Sequence, residues 1–465
     1  MSGFQLTLEE VAKVLGLVPG ENYAGLALSG VSTDTRNIKP GDLFVALKGE
    51  MFDGHDYLEQ AFDKGAAAAV VDRRKDLGGR ILLPVTDTLR ALGDLAAYLR
   101  RRQPLKVVAI TGSNGKTTTR EMTVKILKQK FNTLAAKANF NNLIGLPLTL
   151  LDLRPEHQVA VLEMGMNRFG EISRLTEIAD PDVALVTSVS PAHLEGLGGL
   201  EGVARAKGEL YAGLKNGAMA VVNLDDPFVK RIAEIFPGSH LSFGFSAEAD
   251  IRARNVKYRG LKGLSFELVT PEESVTIKLP LYGRHNVNNV LAAAAISLTL
   301  GLSPVQVRDA LAEMKPFPGR LELKKLPGPI YLLDDTYNAN PVSVKAALAV
   351  LLNLKGRGRM IAVLGDMLEL GSQSEAAHAC IGRQVAEMGL DLLIGVGPLT
   401  EILVRAAEKH GLPQNKLKWF ENQMQAAVWL KSRLRPLDRV LIKGSRGMHL
   451  ETVVDYLEKS EGGQA

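Results

Sequence analysis

The sequence predicts an α/β protein of three domains, and three observations carry that expectation. At 465 residues the chain is too long for a single hydrophobic core, and its 46% of hydrophobic residues can fill several. Short runs rich in Val, Ile, Leu and Ala alternate with helix-forming stretches, the pattern of parallel strands covered on both faces. Gln103-Pro104 and the stiff stretch Pro316-Phe-Pro-Gly-Arg320 interrupt the alternation and read as seams. The expected units are a small N-terminal α/β domain over 1–103, a central domain with a mostly parallel sheet over 104–320, and a doubly wound, Rossmann-like domain over 321–465.

In the first unit, Thr7 with Glu10 three residues on is a capping pattern. Leu8, Val11, Ala12 and Leu15 then share one face of an amphipathic helix within Met1 to Gly16, which does not read as a signal sequence. Gly41 to Leu47 and Ala66 to Val71 read as short strands, and Ala91 to Arg102 as a helix. Two polar clusters flank the strands: Ser32-Thr33-Asp34-Thr35-Arg36 and Asp53-Gly54-His55-Asp56. Hydroxyls, a carboxylate and a guanidinium in one loop can hydrogen-bond a uracil, ribose or diphosphate, with Arg36 able to hold phosphate bidentately. Ser32, Thr33, Asp34 and Arg36 are therefore candidate substrate contacts. The alternative is a capping and turn cluster at the surface.

The central unit is organised around residues 107–119, Val-Val-Ala-Ile-Thr-Gly-Ser-Asn-Gly-Lys-Thr-Thr-Thr. Val107 to Ile110 suit a buried strand, and Glu121 to Lys130 are good helix formers. Between them Gly112 and Gly115 let a tight turn place backbone N–H groups around phosphate oxygens, and the helix N-terminus adds partial positive charge. Gly112, Ser113, Asn114, Gly115, Lys116, Thr117 and Thr118 form a candidate ATP cradle in a domain of P-loop ATPase type. Lys116 would reach the terminal phosphates and the Thr117 hydroxyl would ligate Mg²⁺. The common motif wants glycine at 110, where this chain has Ile, so the pattern is the shorter G-x-x-G-K-T-T.

Behind this loop, Val159 to Gly165 reads as a strand that delivers Glu163 at its end, the arrangement by which nucleotide enzymes hold Mg²⁺. A further strand, Val183 to Val189, leads into Ser190-Pro-Ala-His193 and places His193 where the carboxyl ends of parallel strands gather ligands. Ala204 to Leu210 reads as a helix with Lys207 facing the same site; a solvated helix lysine is the plainer alternative. Tyr282 to Ala295 leads polar residues into an alanine-rich helix, and the asparagines at its mouth, Asn289 among them, can bond a base or ribose.

From 321 on, Ile330 to Leu333, Arg359 to Leu364, Leu392 to Val396 and Arg439 to Lys443 read as strands. Asp334-Asp-Thr-Tyr-Asn-Ala-Asn-Pro341 leaves the first and Lys443-Gly-Ser-Arg-Gly447 the last, both where open α/β sheets bind ligands. Asn338, Asn340, Ser445 and Arg446 are candidate substrate contacts there. The G-x-G-x-x-G of a dinucleotide fold is absent, so NAD is not inferred.

Composition narrows the function classes. One cysteine, Cys380, excludes a disulfide framework and suits a reducing compartment, so a cytoplasmic protein is expected. The net charge of +5 comes without a Lys/Arg block or interleaved aromatics, which suits small anionic substrates at least as well as nucleic acid, and no nucleic-acid partner is expected. The most apolar helix candidate, Val290 to Leu302, is too short to span a bilayer, so no membrane insertion is expected, and the chain is expected to be a monomer.

Taken in order, Gly112-Ser-Asn-Gly-Lys-Thr-Thr118, Glu163, Ser190-Pro-Ala-His193, the Lys207 helix, His285-Asn-Val-Asn-Asn289, Gly319-Arg320 and Asp335 resemble the consecutive signatures of the Mur ligase superfamily. Its members are ATP-dependent amide-forming enzymes of peptidoglycan precursor synthesis, and the likeness covers essentially the whole chain. Asp335 to Pro341, Leu364 to Gly371 with Ser374 and His378, and Lys443 to Arg446 resemble the branch that adds D-alanyl-D-alanine to UDP-N-acetylmuramoyl-tripeptide. The Asp-Asn-Pro-Arg tetrapeptide typical of the diamino-acid-adding branch is absent.

The resemblance implies that the three domains bind UDP-sugar peptide, ATP and incoming amine in turn, and that the reaction runs through an acyl phosphate to UDP-MurNAc-pentapeptide, ADP and phosphate. It implies Lys116, His193 and Lys207 as catalytic residues, and Asn289, Arg320 and Asp335 as contacts to ATP from the two sides of the hinge. Thr117 and Glu163 would hold one Mg²⁺ and His193 a second. Lys207 would be carbamylated by CO₂, which turns a cation into an anionic ligand once nearby positive charge has helped it lose its proton. Two rivals stand beside this reading: a sister ligase (the diamino-acid-adding enzyme or folylpolyglutamate synthetase), and a P-loop ATPase acting on a macromolecule.

Overall fold

The computed structural model describes residues 6–73, 77–136, 140–191, 197–354 and 356–459. Three sheets divide the chain. The first is four parallel strands in the order β1 (Val31–Ser32), β2 (Leu43–Val45), β3 (Ala68–Val71) and β4 (Leu82–Pro84). Helices α1 (Leu8–Val14), α2 (Leu58–Asp63) and α3 (Thr88–Arg101) accompany it. The capping box at the start of α1 is present, with Glu10 N donating to Thr7 Oγ1 and Thr7 N to Glu10 Oε2.

The second sheet has nine strands: β5 (Lys106–Thr111), β6 (Thr133–Ala135), β7 (Val159–Glu163), β8 (Val183–Val186), β9 (Met219–Asn223), β10 (Ser239–Gly244), β11 (Ile251–Tyr258), β12 (Leu264–Val269) and β13 (Ser274–Leu279). Their spatial order is β13-β12-β11-β10-β9-β8-β5-β7-β6. All pairings are parallel except β11 with β12 and β12 with β13, which form an antiparallel extension that the sequence reading did not foresee. Apolar from Val107 to Ile110, β5 sits between β7 and β8, so the chain leaves its carboxyl end at the point where the winding reverses. Helices α4 (Lys116–Leu127), α5 (Gly145–Leu151), α6 (Glu171–Ala179), α7 (Leu200–Ala212), α8 (Pro227–Ala233), α9 (Arg284–Thr299) and α10 (Pro304–Ala312) cover its faces.

One face of this sheet does not have a core of its own. Val107, Ala109 and Leu162 pack in one continuous cluster with Leu146 and Leu150 of α5, Leu175 of α6 and Leu92 and Leu95 of α3. The link between α3 and β5 is thus a break in the chain pattern and not in the packing. Arg100, buried at the end of α3, donates to the Ala179 and Asp180 carbonyls (2.9 and 3.0 Å) and ties the first unit to the second. The opposite face packs on α4, α9 and α10, where Ala292 to Ala295 are fully or almost fully buried. Alanine there lets α9 approach the sheet closely. Asn286, Asn288 and Asn289, expected at the mouth of this helix, lie inside it, because α9 begins at Arg284.

The third sheet follows the order β14-β15-β19-β16-β17-β18, with β14 (Glu322–Leu326), β15 (Ile330–Asp335), β16 (Met360–Gly365), β17 (Leu392–Val396), β18 (Leu417–Phe420) and β19 (Arg439–Lys443). Only the edge strand β14 runs antiparallel. Helices α11 (Pro341–Asn353), α12 (Ser374–Met388) and α13 (Pro398–Lys409) cover one face, and α14 (Gln423–Lys431) with α15 (Glu451–Glu458) the other, giving the doubly wound unit expected. Among the described residues no helix is long and apolar enough to cross a membrane.

Candidate active site

The carboxyl ends of β5, β7 and β8 face those of β15, β16 and β19 across a cleft of about 630 Å³, lined from the central side by residues 113–118, Glu163 and Asn289 and from the other by Asp335, Asn340 and Lys443.

On the central side the phosphate loop is built as a cradle. Gly112 has φ +144° and Gly115 φ +85°, conformations that side-chain-bearing residues rarely adopt. A Cβ at Gly112 would overlap Thr187 Oγ1, and one at Gly115 would lie 2.5 Å from Asn289 Oδ1. The loop is stitched to the turn after β8: Ser113 N donates to Ser188 O (2.8 Å), Asn114 Nδ2 to Ser190 Oγ (2.7 Å), and Thr187 Oγ1 to Asn114 O (2.6 Å). Backbone N–H groups at the start of α4 are left to face the cleft, as an anion site requires. Lys116 curls back to donate to Gly112 O (2.7 Å), and burial pushes its pKa down, opposed by Glu163 and reinforced by Arg320.

Glu163 is 3% exposed at the end of β7. Its Oε1 accepts from Asn141 Nδ2 (3.0 Å), while among the described residues Oε2 accepts no hydrogen bond and faces the Arg120 guanidinium at 3.5 Å. A buried carboxylate oxygen left in that state is an acceptor that suits a cation. Thr117, the other expected ligand, offers its hydroxyl at the cleft, where Arg320 Nη2 donates to it (3.1 Å). Lys207 lies buried on α7, and among the described residues its ammonium has no hydrogen bond or ion pair. Burial, reinforced by the Lys116 charge, drives its pKa well below the ordinary lysine value. It does not project into solvent, so the plainer alternative for this residue does not hold. His193 lies outside the described residues.

From the third sheet, Asn340 caps α11 and its Nδ2 reaches Asn114 Oδ1 at 2.8 Å, a direct bond between the two walls. Arg320 stacks on the Tyr337 ring at 3.9 Å as it extends to Thr117. Asp335 is already engaged on both oxygens, by Leu321 N (3.1 Å) and Lys443 Nζ (2.7 Å). Ser445, buried, accepts from Leu368 N (2.9 Å) and donates to Ala339 O (3.3 Å), so its hydroxyl braces three loops of the wall. Asn338 and Arg446 line the cleft, with Arg446 largely exposed.

Chain reversal thus brings together the phosphate loop, Glu163, Asn289, Arg320, Asp335, Asn338, Asn340, Ser445 and Arg446. It does not bring in Ser32, Thr33, Asp34 and Arg36, none of which lines the cleft, and Lys207, expected to face it, is buried behind the lining. Those four form the turn cluster weighed as the alternative: Ser32 Oγ accepts from Asp34 N, Asp34 caps Arg36 N, and the Arg36 fork rests on the Asp34 carboxylate (2.7 Å). Arg120, Asn141, Tyr337 and Lys443 are among the residues of the site that the sequence does not single out one by one. Tyr337 and Lys443 sit inside stretches that it does, whereas Arg120 and Asn141 carry no spacing signal and are identified only by what they touch.

Comparison with known proteins gives the frame for this geometry. Residues 27–100 match the model described as Mur ligase family, catalytic domain, 110–297 the Mur ligase middle domain, and 319–446 the Mur ligase, glutamate ligase domain. The UDP-N-acetylmuramoyl-tripeptide–D-alanyl-D-alanine ligase of Escherichia coli (strain K12) is 41% identical over 461 residues, covering 98% of this chain and 99% of its own. The chain belongs to the Mur ligase family. The enzyme of the same name from Bacillus subtilis (strain 168) is 35% identical, with 98% of both chains covered. Among solved structures, MurF from Acinetobacter baumannii superposes with a TM-score of 0.89 at 36% identity, covering 99% of this chain and 100% of its own. MurF ligase from Thermotoga maritima, solved in complex with ADP, gives 0.83 at 30% identity over 92% and 97%. This Mur ligase shares its fold more distantly with a 2,6-diaminopimelate ligase and with folylpolyglutamate synthase of Mycobacterium tuberculosis, each 20% identical with TM-scores of 0.59 and 0.60.

Proposed function

We propose that this chain is an ATP-dependent ligase that joins D-alanyl-D-alanine to UDP-N-acetylmuramoyl-tripeptide. The observation that carries the reading is end-to-end identity with the relatives that bear that name, at 41% and 35%, against 20% for the diamino-acid and glutamate ligases.

The chemistry follows from the cleft. A carboxylate oxygen is a poor leaving group and phosphate a good one, so the tripeptide carboxylate takes the γ-phosphoryl group of ATP and ADP departs. The amine nitrogen of D-alanyl-D-alanine then attacks the carbonyl carbon of the acyl phosphate, the bond to the phosphate oxygen breaks, and the amine gives up a proton as the amide forms. Catalysis is positioning and charge neutralisation. Backbone N–H groups of 112–118 hold the phosphates, Lys116 exchanges Gly112 O for a terminal phosphate oxygen, and Arg320 approaches from the hinge. Thr117 and Glu163 are the residues that would hold Mg²⁺, and Glu163 Oε2, which accepts no hydrogen bond among the described residues, fits that role. Bound there, Mg²⁺ supplies the charge that screens the transferring phosphoryl oxygens. Burial that lowers the Lys207 pKa, with no partner for its ammonium among the described residues, fits carbamylation, which needs the free amine; His193 is proposed as a second metal contact from its place in the sequence.

We assign sugar-nucleotide binding to residues 1–103, ATP to 104–320 and the amine to 321–465, with Ser32, Thr33, Asp34 and Arg36 contributing to the first once the Arg36 fork exchanges Asp34 for phosphate. One chain supplies both walls of the cleft, so a monomer in the cytoplasm, where ATP is available, is the working unit. Phosphate release with UDP-MurNAc-tripeptide, ATP, Mg²⁺ and a panel of amines tests the assignment. Turnover with D-alanyl-D-alanine is expected; turnover with a free diamino acid or glutamate but not the dipeptide would overturn it. Intact-mass measurement of native protein should find CO₂ on Lys207, and its absence, together with no rescue of Lys207→Ala by short carboxylates, would leave Lys207 an ordinary lysine.

A further inference from the structure

Arg320 rises from the linker between the second and third sheets, so its position over the cleft depends on how that linker is held. The linker backbone is unusual. Gly319 has φ +66°, and Leu321, a γ-branched residue buried at 4%, has φ +52°. The left-handed conformation costs a side-chain-bearing residue about 1 kcal/mol or more, so something must hold it. Two contacts do. Gly319 O accepts from Tyr337 N (3.0 Å), and Leu321 N donates to Asp335 Oδ1 (3.1 Å).

Asp335 is itself held. It stands in register with Lys443 on the adjacent parallel strand, and Lys443 Nζ is 2.7 Å from Asp335 Oδ2. The same ammonium donates to Asn338 O (2.8 Å), fixing the loop that carries Tyr337, on whose ring Arg320 stacks. Lys443 is 2% exposed, and a buried ammonium in so short a pair is kept only by its partners. One side chain therefore braces both supports of Arg320: the carboxylate that pins the residue after it and the loop that bears its stacking ring.

We propose that Lys443 is a positioning residue that acts through Asp335 and the 336–338 loop to set the linker geometry, so that Arg320 stands over the phosphate loop at Thr117. This rests on the reading of 112–118 as the ATP cradle, and not on the identity of the amine. Lys443 is not expected to touch the nucleotide; its whole effect passes through Arg320.

A double-mutant cycle on the full-length chain tests this. Wild type, Lys443→Met, Arg320→Met and the double variant are titrated calorimetrically with adenylyl imidodiphosphate and Mg²⁺, with neither sugar peptide nor amine present. Loss of a charge-assisted contact predicts about 10-fold weaker binding for each single variant, and about 10-fold, not about 100-fold, for the double. Additive losses, wild-type affinity of Lys443→Met, or wild-type affinity of Arg320→Met would each overturn the proposal. A merely structural ion pair would lower the melting temperature without coupling to Arg320. If Lys443→Met does not fold, Lys443→Gln, which keeps a donor for Asn338 O but no charge for Asp335, carries the same cycle. If the D-alanyl-D-alanine assignment fails, the titration remains readable, so the two failures are distinct.

Discussion

Alanine at Gly112 should disable the nucleotide cradle and destabilise the central unit together, and the size of the effect can be worked from the geometry. At φ +144° an L-residue is strained by about 2 kcal/mol. The new Cβ would overlap Thr187 Oγ1 and lie 3.0 and 3.1 Å from the backbone nitrogens of Thr187 and Ser188. Thr187 cannot turn away cheaply, because its hydroxyl donates to Asn114 O and Thr111 O (2.6 and 3.2 Å). Forced overlap in a packed region costs about 2 kcal/mol more. Together these make about 4 kcal/mol, or about 12 °C in melting temperature for a unit of roughly 200 residues. Gly170→Ala is the internal control: φ is +86° but nothing lies within 4 Å of its Cβ, so about 1 kcal/mol and about 3 °C are expected. Thermal melts by circular dichroism and calorimetric titration with ADP separate the two. Gly170→Ala should keep its ADP affinity, whereas Gly112→Ala should lose it. Equal melting temperatures, or ADP binding by Gly112→Ala within about 2-fold of wild type, would refute the geometric reasoning.

Glu163→Gln should abolish the difference between nucleotide affinities measured with Mg²⁺ and with a chelator, because the oxygen free to bind a cation is lost; a persisting difference would remove Glu163 from the metal site. Arg100→Met should cost about 2 kcal/mol by leaving the buried Ala179 carbonyl without its guanidinium donor, while Lys106 and Lys215 still pair with Asp182 and Lys215 still donates to Asp180 O, and should expose the chain near Gln103 to protease. His378 accepts from Met367 N (3.0 Å) and donates to Ser374 O (2.7 Å), and burial holds its pKa below 6.5. Its neutral form therefore stabilises the fold above pH 6.5, and that contribution is lost as pH falls through the lower folded value. His378→Gln should show a shallower fall in melting temperature between pH 7 and 5 than wild type, and an unchanged slope would contradict this.

Much of the site was legible because its chemistry is local. Gly112, Gly115, Lys116 and Thr117 lie within six residues, and backbone conformation and helix polarity there follow from residue type alone. Glu163 was legible for a similar reason, since an apolar strand that ends in a carboxylate delivers it to one edge of a sheet. The third unit's strands at 330, 360, 392 and 439 were readable from β-branched runs, whereas β14 and the β11–β13 extension were not, because edge strands with alternating exposed positions leave a weaker pattern. The polar run before the alanines suggests a helix mouth at the asparagines of α9; burial against α4, with Asn289 Oδ1 accepting from Thr119 Oγ1 (3.3 Å), places them inside the helix instead.

By itself the sequence determined that this chain has three α/β units, that one holds a phosphate loop and an acidic strand end behind it, and that the order of its motifs is that of a Mur ligase. Those are properties of residue type and spacing along a line. Only the tertiary structure decided that the first two units share one core through α3, that the Arg36 fork rests on its own neighbour, that Lys207 is buried with no partner among the described residues, and that Asp335 is held by Lys443 and in turn holds the linker. Apart from the Arg36–Asp34 pair, which is two positions apart, such facts depend on residues tens to hundreds of positions apart being brought together, and burial and pairing at that distance are set by packing, not by the order of the chain.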